Sequence, residues 1–280
     1  MELAPNSDDG YRRLSSAYRS VGRRDEAIQA ALKTVEINPY SANNHTQVGN
    51  VYYHYGMNDK AMAAFRKVIE LEPDNAAGHN SIGAVYMRES KWQDSIPAFQ
   101  KAVELRPFWR YFSNQGVAYF YMGNYAQAAA MFEKAADMNG NEQLVVGNLA
   151  DAYRWLGDRN KASKTYDRAI GLAYKAYQVN PRDAANLGSL ALYYAKKGDV
   201  SLALEFIRRA RSINKDETAL MYKEALVFAL TGKPDEALNA LRQTLTHGYS
   251  VQEAKNDPEL TSLRTRPEFG QLLAEFERRR

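Results

Sequence analysis

The chain has 280 residues, 45% of them hydrophobic and 25% charged, with a net charge of +4 and no cysteine. This is the composition of a folded globular chain. The missing thiols exclude disulfides and cysteine-based metal or nucleophile chemistry, and no apolar run approaches the roughly 18 residues of a membrane helix. A charge of +4 matters only if it is gathered on one face.

Residues 1–5 come first. Pro5 has the register of a proline that closes later units, so this stretch reads as the remnant of an upstream repeat and the chain as a fragment of a longer protein. The uncovered faces of Tyr11, Leu14 and Tyr18 then invite a homo-oligomer. The acidic, polar start shows no secretory signal. A cytoplasmic location is expected, or a periplasmic one if a membrane span lies upstream.

From residue 6 an aromatic rung recurs: Tyr18, Tyr52, Tyr86, Tyr119, Tyr153, Tyr194 and Phe228, at steps of 34, 34, 33, 34, 41 and 34. Such a period means an array of one supersecondary unit. Units start near residues 8, 42, 76, 109, 143, 184 and 218 and fill 6–249. Three places before each aromatic, at position 8, stands a small residue, from Ser15 and Gly49 to Ala225. Position 15 is glycine except for Ser90, position 20 is small, and position 24 is bulky in most units. Positions 4, 7, 8 and 11 fall on one helical stripe and 20, 24 and 27 on another. Glycine at 15 suits a left-handed cap between the two helices. Proline at 32 (Pro39, Pro73, Pro107) stops the second.

Two units depart from the pattern. In the third, Pro97 lies inside the second helix and is expected to bend it or shorten its start. The fifth is seven residues longer, which predicts one helix from about Lys161 to Asn180, interrupted only if Gly171 breaks it, and protruding by about 10 Å. After residue 249 the period stops. Segment 250–280 reads as a cap, with helix starts at Asp257-Pro258 and at Pro267. Leu260, Leu263, Phe269, Leu272 and Leu273 cover the last unit, and Arg278, Arg279 and Arg280 form a basic tail.

No phosphate loop, HExxH or nucleophile elbow is present. His45 and His79 both occupy position 4, a packing site, with no second ligand one turn away. The Asp25-Glu26 and Asp235-Glu236 pairs sit at starts of second helices and suit the helix dipole. The chain therefore reads as no enzyme, with no cofactor, no metal and no small-molecule substrate.

The small–aromatic–glycine–small pattern at positions 8, 11, 15 and 20 resembles the tetratricopeptide repeat over residues 6–249. The resemblance implies an all-α, right-handed superhelical solenoid of about seven helix pairs plus C-terminal capping helices, with first helices lining a concave face. The elongated fifth unit and the ending resemble the arrays of bacterial multidomain signalling proteins, which carry a Ser/Thr kinase, a nucleotide cyclase or a winged-helix regulator. On this fold, positions 2, 5, 6, 9, 12 and 13 face the groove. Its cations include Arg12, Arg13, Arg88, Arg110, Arg154, Lys196 and Lys223, against Asp9 and Asp151. Position 6 gives a polar row, including Gln47, Asn114 and Asn148, that resembles the asparagine ladder of the O-GlcNAc transferase array. The chaperone-type carboxylate clamp fits poorly, since its lysine positions read Thr46 and Arg110, its arginine position Asn114, and its second asparagine position Ser81 here.

The expected function is a non-catalytic scaffold holding an extended acidic or amphipathic peptide of a protein partner. Arg12, Arg88, Arg110 and Arg154 hold carboxylates, Asn50, Asn114 and Asn148 the peptide backbone, and Tyr53, Phe120, Tyr121 and Trp155 apolar side chains. The alternatives are self-association and single-stranded nucleic acid, the latter disfavoured by the small net charge.

Overall fold

The computed structural model describes residues 7–278, which form helices and turns with no strand among them. The expected remnant 1–5, Arg279 and Arg280 lie outside the described residues. The all-α class and the helix-pair architecture match the sequence expectation. The chain divides into two compact units, one ending at Met122 and one beginning at Gly123.

The first unit holds α1 (Asp8–Ser20), α2 (Arg24–Ile37), α3 (Ala42–His54), α4 (Asn58–Leu71), α5 (Ala76–Arg88), α6 (Trp92–Leu105) and α7 (Trp109–Tyr121). The first helices of its first three pairs start on a side-chain cap. Ser7, Ser41 and Asn75 accept from the amides of Gly10, Asn44 and Gly78, satisfying donors that a helix start leaves open. Between the helices of a pair the chain turns through a left-handed residue, as at Gly22 (φ +74°) and Gly56 (φ +72°). In the third pair that residue is Ser90 (φ 57°), the one non-glycine with positive φ among the described residues. A side chain there costs roughly 1–2 kcal/mol. Ser90→Gly is therefore expected to stabilise the protein by about 0.5–1 kcal/mol once the extra backbone freedom of glycine is subtracted. A rise of roughly 2 °C in Tm checks it.

Packing within a pair follows from positions 8 and 24. A Cβ added at Gly49 meets the Phe65 ring at 2.4 Å, and one added at Gly83 meets the Phe99 ring at 2.6 Å. Both rings are almost fully buried, so glycine is what lets the ring enter between the helices. His45 and His79 each place Nε2 against the carbonyl of the preceding closing proline, 2.8 Å from Pro39 and 2.9 Å from Pro73. They are packing residues that tie one pair to the next. Pro97 does not shorten α6, which keeps 14 residues like α4. The acceptor that loses its partner is the carbonyl of Gln93, an exposed residue in the first turn, where water is at hand.

The second unit holds α8 (Tyr125–Met138), α9 (Gln143–Trp155), α10 (Arg159–Val179), α11 (Ala184–Lys197), α12 (Val200–Ile213), α13 (Thr218–Leu230) and α14 (Pro234–Thr246). Then come α15 (Val251–Asn256), a 3₁₀ turn (Pro258–Leu260), α16 (Thr261–Arg264) and α17 (Pro267–Glu277). Helix α10 runs 21 residues through Gly171 without a break. Its extra turns do not stand bare. Tyr174 and Tyr177 make T-shaped contacts with Phe206 of α12, at 6.0 and 6.2 Å between centroids, and Arg209 donates to Tyr177 Oη at 2.7 Å. Only the tip is free of this packing, with Val179 87% exposed.

At the C-terminus, Leu260, Leu263, Phe269, Leu272 and Leu273 are buried with Leu226 and Leu241 of the last pair in one cluster. Asp257 caps the 3₁₀ turn, accepting from Glu259 N at 2.8 Å, and Pro258 and Pro267 begin their elements. The six-residue α15, capped by Ser250, is an element that the sequence pattern does not announce.

Candidate functional site

In each unit the first helices of successive pairs lie side by side, and the side chains that cross between them define one face. On the first unit, Gln47 of α3 donates to Ser15 Oγ and Ser16 Oγ of α1, both at 3.2 Å. Arg88 of α5 donates to the carbonyl of Tyr53 of α3, with its guanidinium 3.6 Å from the Tyr53 ring centroid. Asn114 of α7 donates through Nδ2 to Asn80 Oδ1 of α5 at 2.9 Å. The second unit repeats the theme: Lys223 of α13 donates to Ser189 Oγ and to the Ala185 carbonyl of α11, both at 3.2 Å. Much of the polar row expected to meet a ligand thus joins neighbouring repeats.

The candidate residues separate accordingly. Arg12 pairs with Asp9 at 2.8 Å, and Arg13 meets the same carboxylate at 2.9 Å, so α1 offers little net charge. Arg88 and Tyr53 are spent on each other. Tyr121 stacks on Trp92 at 4.7 Å and Trp155 stacks on Tyr125 at 5.4 Å, both pairs joining the start of one second helix to the end of the next first helix. One face of each ring is therefore taken by packing, and Phe120 is half-buried in a T-shaped contact with Tyr121. Asn50 and Asn148 are half-buried and make no side-chain hydrogen bond among the described residues. Arg110 is exposed over Trp109, 4.9 Å from its centroid, and pairs with no carboxylate among the described residues. It edges a hollow of about 330 Å³ lined by Asn80, Phe108, Trp109 and Asn114. Leu14 and Tyr18, with Tyr11, line another open hollow against α2.

Arg154 has a different role. It is bonded to Glu259 of the C-terminal 3₁₀ turn, 105 residues away. Lys196 of α11 lies 3.4 Å from the same carboxylate and 2.6 Å from Asp151 Oδ2 of α9. Tyr166 of α10 donates to the other Asp151 oxygen. Beside them, Tyr222 of α13 donates to Asp257 Oδ2 at 2.7 Å. Two cations and two carboxylates thus close a buried cluster across α9, α11 and the C-terminal turn.

The protonation of the cluster follows from burial against charge. Burial would raise the Glu259 carboxyl, but Lys196 and Arg154 outweigh it and hold it below the usual carboxylate value. Burial likewise works against the ammonium of Lys196, yet Asp151 and Glu259 raise it. At Asp257 burial outweighs the Tyr222 hydrogen bond, the Glu259 amide and the more distant pull of Lys196, and pushes the carboxyl up. Tyr166 is raised by burial and then by Asp151, so its hydroxyl stays a donor. Burial lowers Lys223. Two buried donors beside Glu259, Arg154 Nε and the neighbouring Trp155 Nε1, find no acceptor among the described residues. Among the described residues no group of His, Asp or Glu is arranged to hold a metal ion, and no helix is long and apolar enough to cross a membrane.

Comparison with known proteins bears on the fold. Family models described as tetratricopeptide repeat match residues 9–41, 49–90 and 119–169. A model of anaphase-promoting complex, cyclosome, subunit 3 matches residues 162–244. A Bos taurus protein, BBSome complex member BBS4, is 25% identical over 128 residues, 46% of this chain and 23% of its own length, so the chain spans less than a quarter of that relative. Among solved structures, the APC/C hetero-tetramer Cut9-Hcn1 superimposes with a TM-score of 0.65 at 16% identity, over 98% of this chain and 50% of the other. A tetratricopeptide repeat protein from Parabacteroides merdae gives 0.64 at 13%, over 96% and 98%. MamA gives 0.52 at 22%, over 62% and 95%. At these identities the likeness is one of fold.

Proposed function

The chain carries tetratricopeptide repeats, and from that premise we propose that it is a non-catalytic scaffold whose first-helix faces bind acidic segments of a protein partner. The observation that carries this is the Glu259 carboxylate seated on Arg154 and Lys196: that face already accepts an acidic side chain from outside the repeats. A carboxylate between two cations gains charge-assisted bonds that a neutral side chain cannot make. On the first unit the open locus is the hollow beside Arg110, where a guanidinium that pairs with no carboxylate among the described residues stands next to the Phe108 and Trp109 rings. A peptide alternating acidic and apolar residues fits it. The resemblance of the elongated fifth pair and the ending to bacterial signalling arrays supports a further reading, that the chain is the interaction module of such a protein.

A peptide array titrated with the protein tests the binding. Acidic, apolar-containing segments should be retained, and Arg110→Ala should weaken them about tenfold, which corresponds to roughly 1.4 kcal/mol. Retention that ignores peptide charge, with unchanged affinity in Arg110→Ala, rules the reading out.

A further inference from the structure

We propose that the carboxylate seat on the second unit is a ligand site held shut by the chain's own Glu259, and that an acidic segment of a partner protein enters it by displacing the 3₁₀ turn Pro258–Leu260. This rests on the peptide-binding reading above and names the occupant and the gate of one of its loci.

Glu259 belongs to no repeat, yet it is almost buried on two cations that the repeats supply, Arg154 on α9 and Lys196 on α11. With Asp151 the cluster holds two cations and two carboxylates. Taking Glu259 away leaves one positive charge uncompensated, which a second carboxylate can balance. The seat also offers more donors than its resident uses, since Arg154 Nε and Trp155 Nε1 are buried and find no acceptor among the described residues. Buried donors left this way are costly, and an incoming segment with a carboxylate and a backbone carbonyl satisfies more of them than the Glu259 side chain does.

The resident turn also describes its competitor. It presents a carboxylate followed at once by Leu260, which is fully buried. The partner segment therefore carries Asp or Glu followed by a leucine-sized apolar residue. The turn is three residues long, between the six-residue α15 and the four-residue α16. It is tied down by Tyr222 on Asp257 and by Arg264, which donates to the carbonyls of Lys255 and Asp257. An intramolecular competitor acts at an effective concentration on the order of millimolar, so it suppresses a partner strongly without barring it.

The test uses the full chain and a fluorescein-labelled peptide copying residues 255–264, read by anisotropy. Glu259→Gln should bind the probe at least tenfold more tightly than the wild type, and Arg154→Ala/Glu259→Gln should lose that gain. In the wild type, saturating probe should speed amide hydrogen exchange at Leu260 and Leu263, a readout independent of any variant's folding. Equal affinity of wild type and Glu259→Gln with unchanged exchange overturns the gate; if Arg110→Ala still weakens acidic peptides, the binding reading stands without it. Failure of either protein to bind acidic probes up to about 1 mM, a free energy of roughly −4 kcal/mol, overturns both.

Discussion

Lys196→Ala is expected to destabilise the second unit by about 3–5 kcal/mol, because removing one member of a buried ion cluster leaves its partners charged and uncompensated. Lys196 has a side-chain exposure of 8%, and Asp151 and Glu259 both depend on it. The variant leaves Arg154 facing Glu259, while Asp151 keeps, among the described residues, only the Tyr166 hydroxyl. Urea unfolding followed by hydrogen exchange gives the measure. Protection should collapse in α9, α11 and the C-terminal turn and persist in α1–α6, since each repeat leans on its neighbours alone. A loss under 1 kcal/mol would mean that the cluster is solvated in solution and behaves as an ordinary surface pair.

Gly83→Ala is expected to cost about 1–3 kcal/mol, the usual penalty for overfilling a packed core. The added methyl would stand 2.6 Å from a carbon of Phe99, a ring 1% exposed with nowhere to retreat. Adding Phe99→Leu should return most of the loss, because the sixth and seventh pairs already combine alanine with an aliphatic at these positions, Ala191 with Ile207 and Ala225 with Leu241. A double-mutant cycle should show a coupling of about 1 kcal/mol or more, within the range found for touching residues. Simple additivity would show that the methyl and the ring do not compete for space. The fifth pair joins Ala150 to Tyr166, whose hydroxyl is held by Asp151 of the neighbouring position.

The helix pairs were legible because a 34-residue period writes the same packing problem again and again, and the small, aromatic and glycine positions each answer one part of it. Ser90 shows the limit of that legibility: the register placed it correctly, and only the backbone reveals that it takes the glycine conformation (φ 57°). The binding face was legible as a set of residues and illegible as a set of partners. Position 6 foretold a polar row, but that Asn114 joins Asn80 and that Lys223 joins Ser189 depends on how closely adjacent helices approach. With hindsight the 34-residue separations are the signal. Glu259 gave no such signal, because it lies outside the period and its partner Arg154 is 105 residues away. The pattern Asp257-Pro258 marked where a helical turn begins and said nothing of what the next carboxylate would touch.

Helix α10 sets a rule for how such a chain can grow. Each residue advances a helix by about 100°, so seven bring the surface back to within roughly 20° of its starting azimuth. That is why Tyr166, ahead of the added turns, and Ala173, within them, are both buried in one core. An addition of five residues would swing the far end by about 140°, more than a third of a turn, and the next pair would dock in another direction. Length variation between relatives of this array should therefore favour near-whole numbers of helical turns, about seven or eleven residues, and an indel of about five marks a joint where the array changes course.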